Sequence, residues 1–298
     1  MNLPELPLNA WQDTYTTLHM WMQIVGKIRL ALSPYANHWW QVPFYLTSRG
    51  MTTSPMPYGD RFFEIDFDFI DHTLIISVSD GTIKTLPLRP RSVADFYAEL
   101  MVTLRGINID VQIWTTPVEV ANPIPFEQDH QHAAYDPEYV NRLWRILLWS
   151  DSVLKQFSGR FIGKTSPVHF FWGSFDLALT RFSGRRAPER PGIDRITHEA
   201  YSHEVISAGF WAGGTSWNGN VLEGAAFYVY AAPEPSGFAD RIMKPSQAFY
   251  SKPFGEFLLM YDDVRRADQP DVALLDFLDS TYDAAADLAG WDRIALDR

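Results

Sequence analysis

The densest run of titratable side chains is Tyr201-Ser202-His203-Glu204, with His198-Glu199 just before it. On a strand, Tyr201 and His203 share one face while Ser202 and Glu204 share the other. On a helix, His198 and Glu199 would approach Ser202 and His203. Either arrangement can orient an imidazole for general-base work, which makes His203, Glu204 and Tyr201 candidate catalytic groups. The competing reading is a polar strand edge with a capping histidine. His169 is a second acid/base candidate. It heads the aromatic stretch His169-Phe170-Phe171-Trp172, as His38 heads His38-Trp39-Trp40. Each of these histidines could equally donate a ring N–H to a carbonyl and fix the start of a strand.

Charge recognition falls to Arg181, Arg185 and Arg186, which follow the second aromatic stretch. A guanidinium fork grips a carboxylate or phosphate in two places. These arginines are therefore candidate substrate-binding residues, with Trp39, Trp40 and Trp172 as aromatic walls. The competing reading for the first is an ion pair with Asp176, a carboxylate set in the apolar stretch 175–179 that needs a partner if buried.

No metal site is expected. Cysteine is absent, so thiolate sites, iron–sulfur clusters and disulfides are excluded. His198 and His203 do not have the i, i+4 spacing of a zincin helix. His130-Gln131-His132, near Glu127 and Asp129, puts two imidazoles on one face if extended, but polar loops collect such residues anyway. No G-x-S-x-G elbow, P-loop or dinucleotide glycine motif occurs. The cofactor stays open.

Helical periodicity with a stop at Ser33-Pro34 predicts a helix over about 14–32, capped by Asp13. A strand is expected over 38–48. The clearest strand signal is Phe63, Ile65, Phe67 and Phe69 alternating with Glu64, Asp66 and Asp68. Turns at Asp71-His72 and Asp80-Gly81 make hairpins with 74–78 and 82–86. Ser92 caps a helix to Arg105, and 110–114 reads as a short strand. Asp136-Pro137 opens a helix to about Phe157. Strands follow at 168–182, 225–231 and 255–261, and a last helix spans about 270–289. The glycine-rich stretch 209–224 reads as a loop anchored by Trp211 and Trp217.

The order Trp21, Lys27, Ser33-Pro34, His38, Arg49 returns as Trp149, Lys155, Ser166-Pro167, His169, Arg181. This predicts an α+β fold of two similar helix–antiparallel strands–helix halves, arranged as a pseudo-two-fold duplication. The halves are 1–116 and 138–298. A proline-rich linker at 117–137 joins them, in two domains or one compact body.

The chain has 298 residues and a net charge of −11. An acidic balance argues against a nucleic-acid backbone as partner. No secretory signal or bilayer-spanning run is visible, so no membrane partner is expected and a cytoplasmic location is. Aromatics make up 15% of the residues, enough to line a small-molecule pocket as well as a core.

The strings HWWQVPFYLTSRG, FIDHTLIISVSDG, LPLRPRSVADFY, SPVHFFWGSFDLALTRFSGRRAP, EAYSHEV and GEFLLMYDDVR resemble those of a bacterial family catalogued as a domain of unknown function, number 5996. The resemblance runs from Trp11 to Trp291. It implies one family unit and assigns no reaction or catalytic residue. From the residues themselves, three readings stand. One is an enzyme acting on a small aromatic or anionic molecule in an aromatic-lined cleft. The others are a non-catalytic small-molecule binder and a protein–protein interaction module.

Overall fold

A computed structural model describes residues 3–216 and 218–298; Met1, Asn2 and the expected anchor Trp217 lie outside the described residues. The fold is α+β. Helix α1, Leu8–Leu32, is apolar on nearly all sides and buried over most of its length. It starts earlier than Asp13 predicts. Pro7 occupies the cap position, and the added turns bury Leu8 and Trp11.

A meander follows: β1 (Tyr45–Leu46), β2 (Gly50–Thr52), β3 (Met56–Tyr58), β4 (Arg61–Asp68), β5 (Thr73–Val78) and β6 (Ile83–Pro87). These form a six-stranded antiparallel sheet in the order β1-β2-β4-β5-β6, with β3 also on β4. Phe63, Ile65 and Phe67 point into the core, as their alternation predicts. Helix α2, Val93–Gly106, is capped by Ser92, which accepts from the Asp95 amide.

The second half opens with α3, Pro137–Ser158, capped by Asp136. Its sheet comprises β7 (His169–Phe171), β8 (Asp176–Arg186), β9 (His203–Trp211), β12 (Ala226–Ala232), β13 (Phe249–Ser251) and β14 (Glu256–Met260), in the order β13-β14-β12-β9-β8-β7. Helix α4 (Arg195–Ala200) precedes β9, and β10 (Gly214–Thr215) pairs with β11 (Val221–Leu222) as a small hairpin. Helices α5 (Tyr261–Arg265), α6 (Pro270–Leu288) and α7 (Arg293–Leu296) finish the chain. The two sheets meet edge to edge, where Phe44 and Phe170 exchange reciprocal amide–carbonyl bonds of 2.9 and 3.0 Å.

Several expectations need correction. His38 does not head a strand. It lies in a 3₁₀ turn, Asn37–Trp39, and both His38 and Trp39 have positive φ. The expected strand at 110–114 is irregular, and 209–224 contains the end of β9 and the β10–β11 hairpin. The segment 117–137 is packed into the body. Gln23 bonds both the amide and the carbonyl of Val118 at 2.8 Å, Phe126 is fully buried, and the Asp129 carbonyl accepts the Ala94 amide. Both sheets are antiparallel and six-stranded, but in the second β12 pairs with β14 and β13 lies outside it, and residues matched by the sequence repeat sit in different surroundings. Lys27 is buried, whereas Lys155 is exposed and pairs with Asp151. No helix among the described residues is long and apolar enough to cross a membrane.

Pleating separates the second sheet's faces. Leu177 and Leu179 on β8, Ile206, Ala208 and Phe210 on β9, and Phe227 and Val229 on β12 join the main apolar core, on which α3 and α6 pack. The register puts Asp176, Trp211, Tyr228 and Tyr230 on the opposite face. Helix α1 reaches this half through Gly26, which lies against the Trp172 indole; a methyl group at position 26 would overlap that ring. The Trp172 Nε1–H donates to the Val42 carbonyl at 2.8 Å, which fixes the ring in place.

Gly26→Ala is therefore expected to destabilise the fold by about 1–3 kcal/mol, the usual range for overpacking. Gly106→Ala, where added carbon meets nothing within 4 Å, serves as the control and is expected to be neutral or slightly stabilising. Urea denaturation of both variants checks this, and equal midpoints would contradict it.

Candidate functional site

The face of the second sheet away from α3 and α6 forms the floor of a cavity of about 750 Å³. Tyr228 and Tyr230 on β12, Asp176 on β8, Trp211 on β9 and Glu256 on β14 line it from below. The first turns of α1 supply Tyr15, Thr16 and His19 from above. The segment expected to be a linker contributes Glu119, Asn122, Asp129 and His132, and the β10–β11 hairpin closes one side.

On the β8 side of the floor is Asp176. Ser174 Oγ donates to one carboxylate oxygen and Tyr228 Oη to the other. Tyr228 reaches Asp176 across Gly209 on the neighbouring strand, where any side chain would overlap the phenol and the Leu177 carbonyl. Tyr230 and Tyr201 share a hydroxyl–hydroxyl hydrogen bond of 2.8 Å beside this chain. Burial pushes the Asp176 carboxyl up, while the Ser174 and Tyr228 hydrogen bonds oppose that rise.

Three further carboxyl groups share the cavity: Asp129, which His132 engages, and Glu119 and Glu256. Glu119 has a positive φ of 55°, a conformation that costs a non-glycine residue of the order of 1 kcal/mol. Its side chain keeps contact with solvent, yet protein crowds it. Burial, then the charges of Asp176 and Asp194, raise its pKa to about 7. Burial and Asp176 raise Glu256 to about 8. His19 is held neutral by burial, its pKa lowered to about 4, and its Nε2 lies 2.9 Å from the Gly173 carbonyl. His132 bonds the buried Asp129 carboxylate through Nδ1 at 2.7 Å. No lysine or arginine among the described residues lines the cavity. Among the described residues, no group of three or more His, Asp or Glu could hold a metal ion.

Of the proposed catalytic and substrate-binding residues, Tyr201 lines this cavity, and Asp176, Asp129, His132 and Trp211, noted from sequence in other roles, line it too. Trp40, His169 and His203 stand outside it, linked in series through His38, whose ring lies 5.2 Å from Trp40. Trp40 packs on His169 at 5.6 Å and on Phe182 at 6.0 Å, and His38 lies 5.8 Å from His203. Within that series His38 directs Nδ1 at the Glu199 carbonyl and Nε2 at Lys164. Burial lowers the pKa of His169 to about 4, and its Nε2 finds no hydrogen-bond partner among the described residues. Trp39 packs edge-on to Tyr35 beneath Arg195.

The expected clamp residues lie elsewhere. Trp172 is buried against Gly26. Arg181 is not paired with Asp176, because strand pleating sends the two to opposite faces. Its guanidinium donates to the Phe157 carbonyl and sits between the Phe157 and Tyr282 rings. Arg185 pairs with Glu204 and donates to the Ala289 and Gly290 carbonyls, tying down the C-terminal end of α6. Arg186 borders a small depression with Arg190 and His198.

Sequence reasoning passed over Ser174, Glu119, Tyr228, Tyr230 and Glu256. A usable signal existed for the tyrosines. In Phe227-Tyr228-Val229-Tyr230, phenols alternate with apolar residues, as they do on a strand with a polar side. Glu119 stands in an irregular stretch and carries no periodic mark.

The chain belongs to a family of unknown function, DUF5996, whose model matches residues 3–298. No curated protein and no solved structure matches it.

Glu119 and Glu256 hold protons in the folded protein that an unfolded chain would release near the ordinary value of 4.5. The stability they contribute is complete below that value and is lost as pH rises through about 7 and 8. Replacing either with Gln is therefore expected to raise the melting temperature relative to wild type more at alkaline than at acid pH. Solvent contact moderates the effect at Glu119. Parallel pH–stability curves for wild type and both variants would contradict the assignment.

Proposed function

We propose that the protein binds a small organic molecule in this cavity and carries out proton transfer on it. The observation that carries the reading is the Ser174–Asp176–Tyr228 hydrogen-bond chain on the cavity floor, with Glu119 and Glu256 in the same concavity. A cavity of this volume fits a metabolite-sized ligand. Aromatic faces of Tyr15, Trp211 and Phe254 offer contact area, and the polar groups fix orientation.

The division of labour follows from surroundings. Asp176 has two donors and deeper burial than Glu119 or Glu256, so it is the fixed acceptor that holds Tyr228 in place. Glu119 and Glu256 have no such donors holding them in one ionisation state, and both are poised near neutrality. That suits groups that must give a proton and take one back. Tyr201 and Tyr230 form a separate hydroxyl pair beside the Ser174–Asp176–Tyr228 chain, packed with Trp40 around Phe182, Val205 and Ala232. A helix followed by a six-stranded antiparallel sheet and a further helix in each part of the chain supports an internal duplication as the origin of the two sheets, with the catalytic face elaborated on one of them.

Incubation with a metabolite extract, followed by mass spectrometry, tests the reading. Wild-type protein is expected to deplete a particular compound. Asp176→Asn is expected to slow depletion by about two orders of magnitude, the lower end of what positioned acid–base groups contribute. Arg186→Ala, outside the cavity, serves as the unaffected reference. Equal depletion by wild type and Asp176→Asn would overturn the reading.

A further inference from the structure

We propose that the ligand of this cavity is an organic cation, an amine or quaternary ammonium compound whose positive centre sits among Asp176, Glu119 and Glu256. The inference rests on the cavity being a ligand site and concerns what that ligand must carry.

Charge bookkeeping across the molecule sets the cavity apart. Elsewhere carboxylates find arginines: Asp68 and Asp71 share Arg49, Asp283, Asp287 and Asp297 share Arg293, and Glu5 and Asp262 share Arg265. Within the cavity Asp176 is more than nine-tenths buried, faces the void, and has no counter-ion among the described residues. Glu119 and Glu256 stand in the same space with none either. Arg190 packs on the Tyr201 ring, 4.7 Å from its centroid, but does not line the cavity.

The walls suit the same ligand. Tyr15, Tyr201, Trp211, Tyr228, Tyr230 and Phe254 give six aromatic residues around the space. Ring faces attract a cation by their quadrupole, and most strongly where water is excluded. The hydroxyl donors nearest Asp176 are already committed, because Ser174 and Tyr228 both donate to it. The Tyr201–Tyr230 bond uses one of that pair's two hydroxyl protons and leaves the other. Asp176 therefore offers acceptor lone pairs, and a ligand group placed against it must bring donors. An anion would meet Asp176, Glu119 and Glu256 with no lysine or arginine among the described lining residues to offset them.

Protons and the ligand cation compete for the same oxygens. Glu119 faces Asp176 from β8, Asp194 from the cap of α4 and the Tyr201 phenol. Glu256 faces Asp176 and the phenols of Tyr228 and Tyr250. His19, neutral, adds no charge from α1, and the His132 ring is engaged by Asp129. Cation binding should thus strengthen as pH rises through the range where Glu119 and Glu256 lose their protons, and near neutral pH it should expel roughly one proton.

Three probes of one shape separate charge from fit: benzylamine, benzyl alcohol and benzoate. Calorimetric titration is expected to show benzylamine binding at least tenfold tighter than benzyl alcohol, and benzoate weakest. The benzylamine affinity should rise from acid to alkaline pH, with proton release seen by comparing two buffers of different ionisation heat. Glu119→Gln with Glu256→Gln should cut that affinity about tenfold at alkaline pH and little at acid pH. Asp176→Asn, read beside its circular-dichroism spectrum and melting curve, tests the third carboxyl. If benzyl alcohol or benzoate binds as tightly as benzylamine and is lost in Asp176→Asn, the cation proposal falls while the ligand cavity stands. If none of the three binds at millimolar concentration, both fall.

Discussion

Helix α1 can lie against the second half of the molecule only because position 26 has no side chain. The Trp172 indole occupies the space that any larger residue would need, and its N–H is tied to the Val42 carbonyl. From that contact the helix runs back over the second sheet, so that Tyr15 and His19 become the roof of a cavity whose floor belongs to the other half. The Gln23 bonds to Val118 hold the connecting segment against the same helix, and Glu119 follows directly. One close approach thus sets where α1, the connecting segment and the sheet meet.

The floor answers a different demand. An antiparallel strand buried on both faces must place polar residues somewhere, and β8 puts Asp176 opposite Leu177. An isolated carboxylate taken from water costs far more than one hydrogen bond returns, so it must keep its proton, find donors or find a cation. The protein supplies two donors and no cation. Glu119 and Glu256, left without donors of comparable strength, respond by holding protons to higher pH. By contrast the buried Arg181 is accommodated on the apolar side by ring faces and a carbonyl, a solution open to a flat, weakly hydrated guanidinium.

Much of the fold was legible because it follows from periodicity. Phe63, Ile65 and Phe67 alternate, Ser92 and Asp136 cap their helices, and Ser33-Pro34 ends α1. What failed was local. His38 and Trp39 have the composition of a strand but adopt positive φ, because the turn is held by the Glu199 side chain and carbonyl, 161 residues away. The site was harder still. Titratable density pointed to 198–204, yet Glu204 ties Arg185 to a helix end and only Tyr201 reaches the cavity. Asp176 was visible as a carboxylate in an apolar stretch. Its pairing with Arg181 could have been rejected from the odd spacing of five, which sends the two side chains to opposite faces of one strand. Glu119 and Glu256 meet Asp176 only through tertiary packing, and no local pattern announces that.

The central claim is that cavity carboxyl groups without counter-ions hold protons near neutrality. Carbon-detected NMR of protein labelled at glutamate side-chain carboxyls, titrated across the acid to mildly alkaline range, measures this directly. The account predicts two glutamate signals titrating near 7 and 8, one vanishing in Glu119→Gln and the other in Glu256→Gln. Titration of every glutamate near the ordinary value of 4.5 would contradict it.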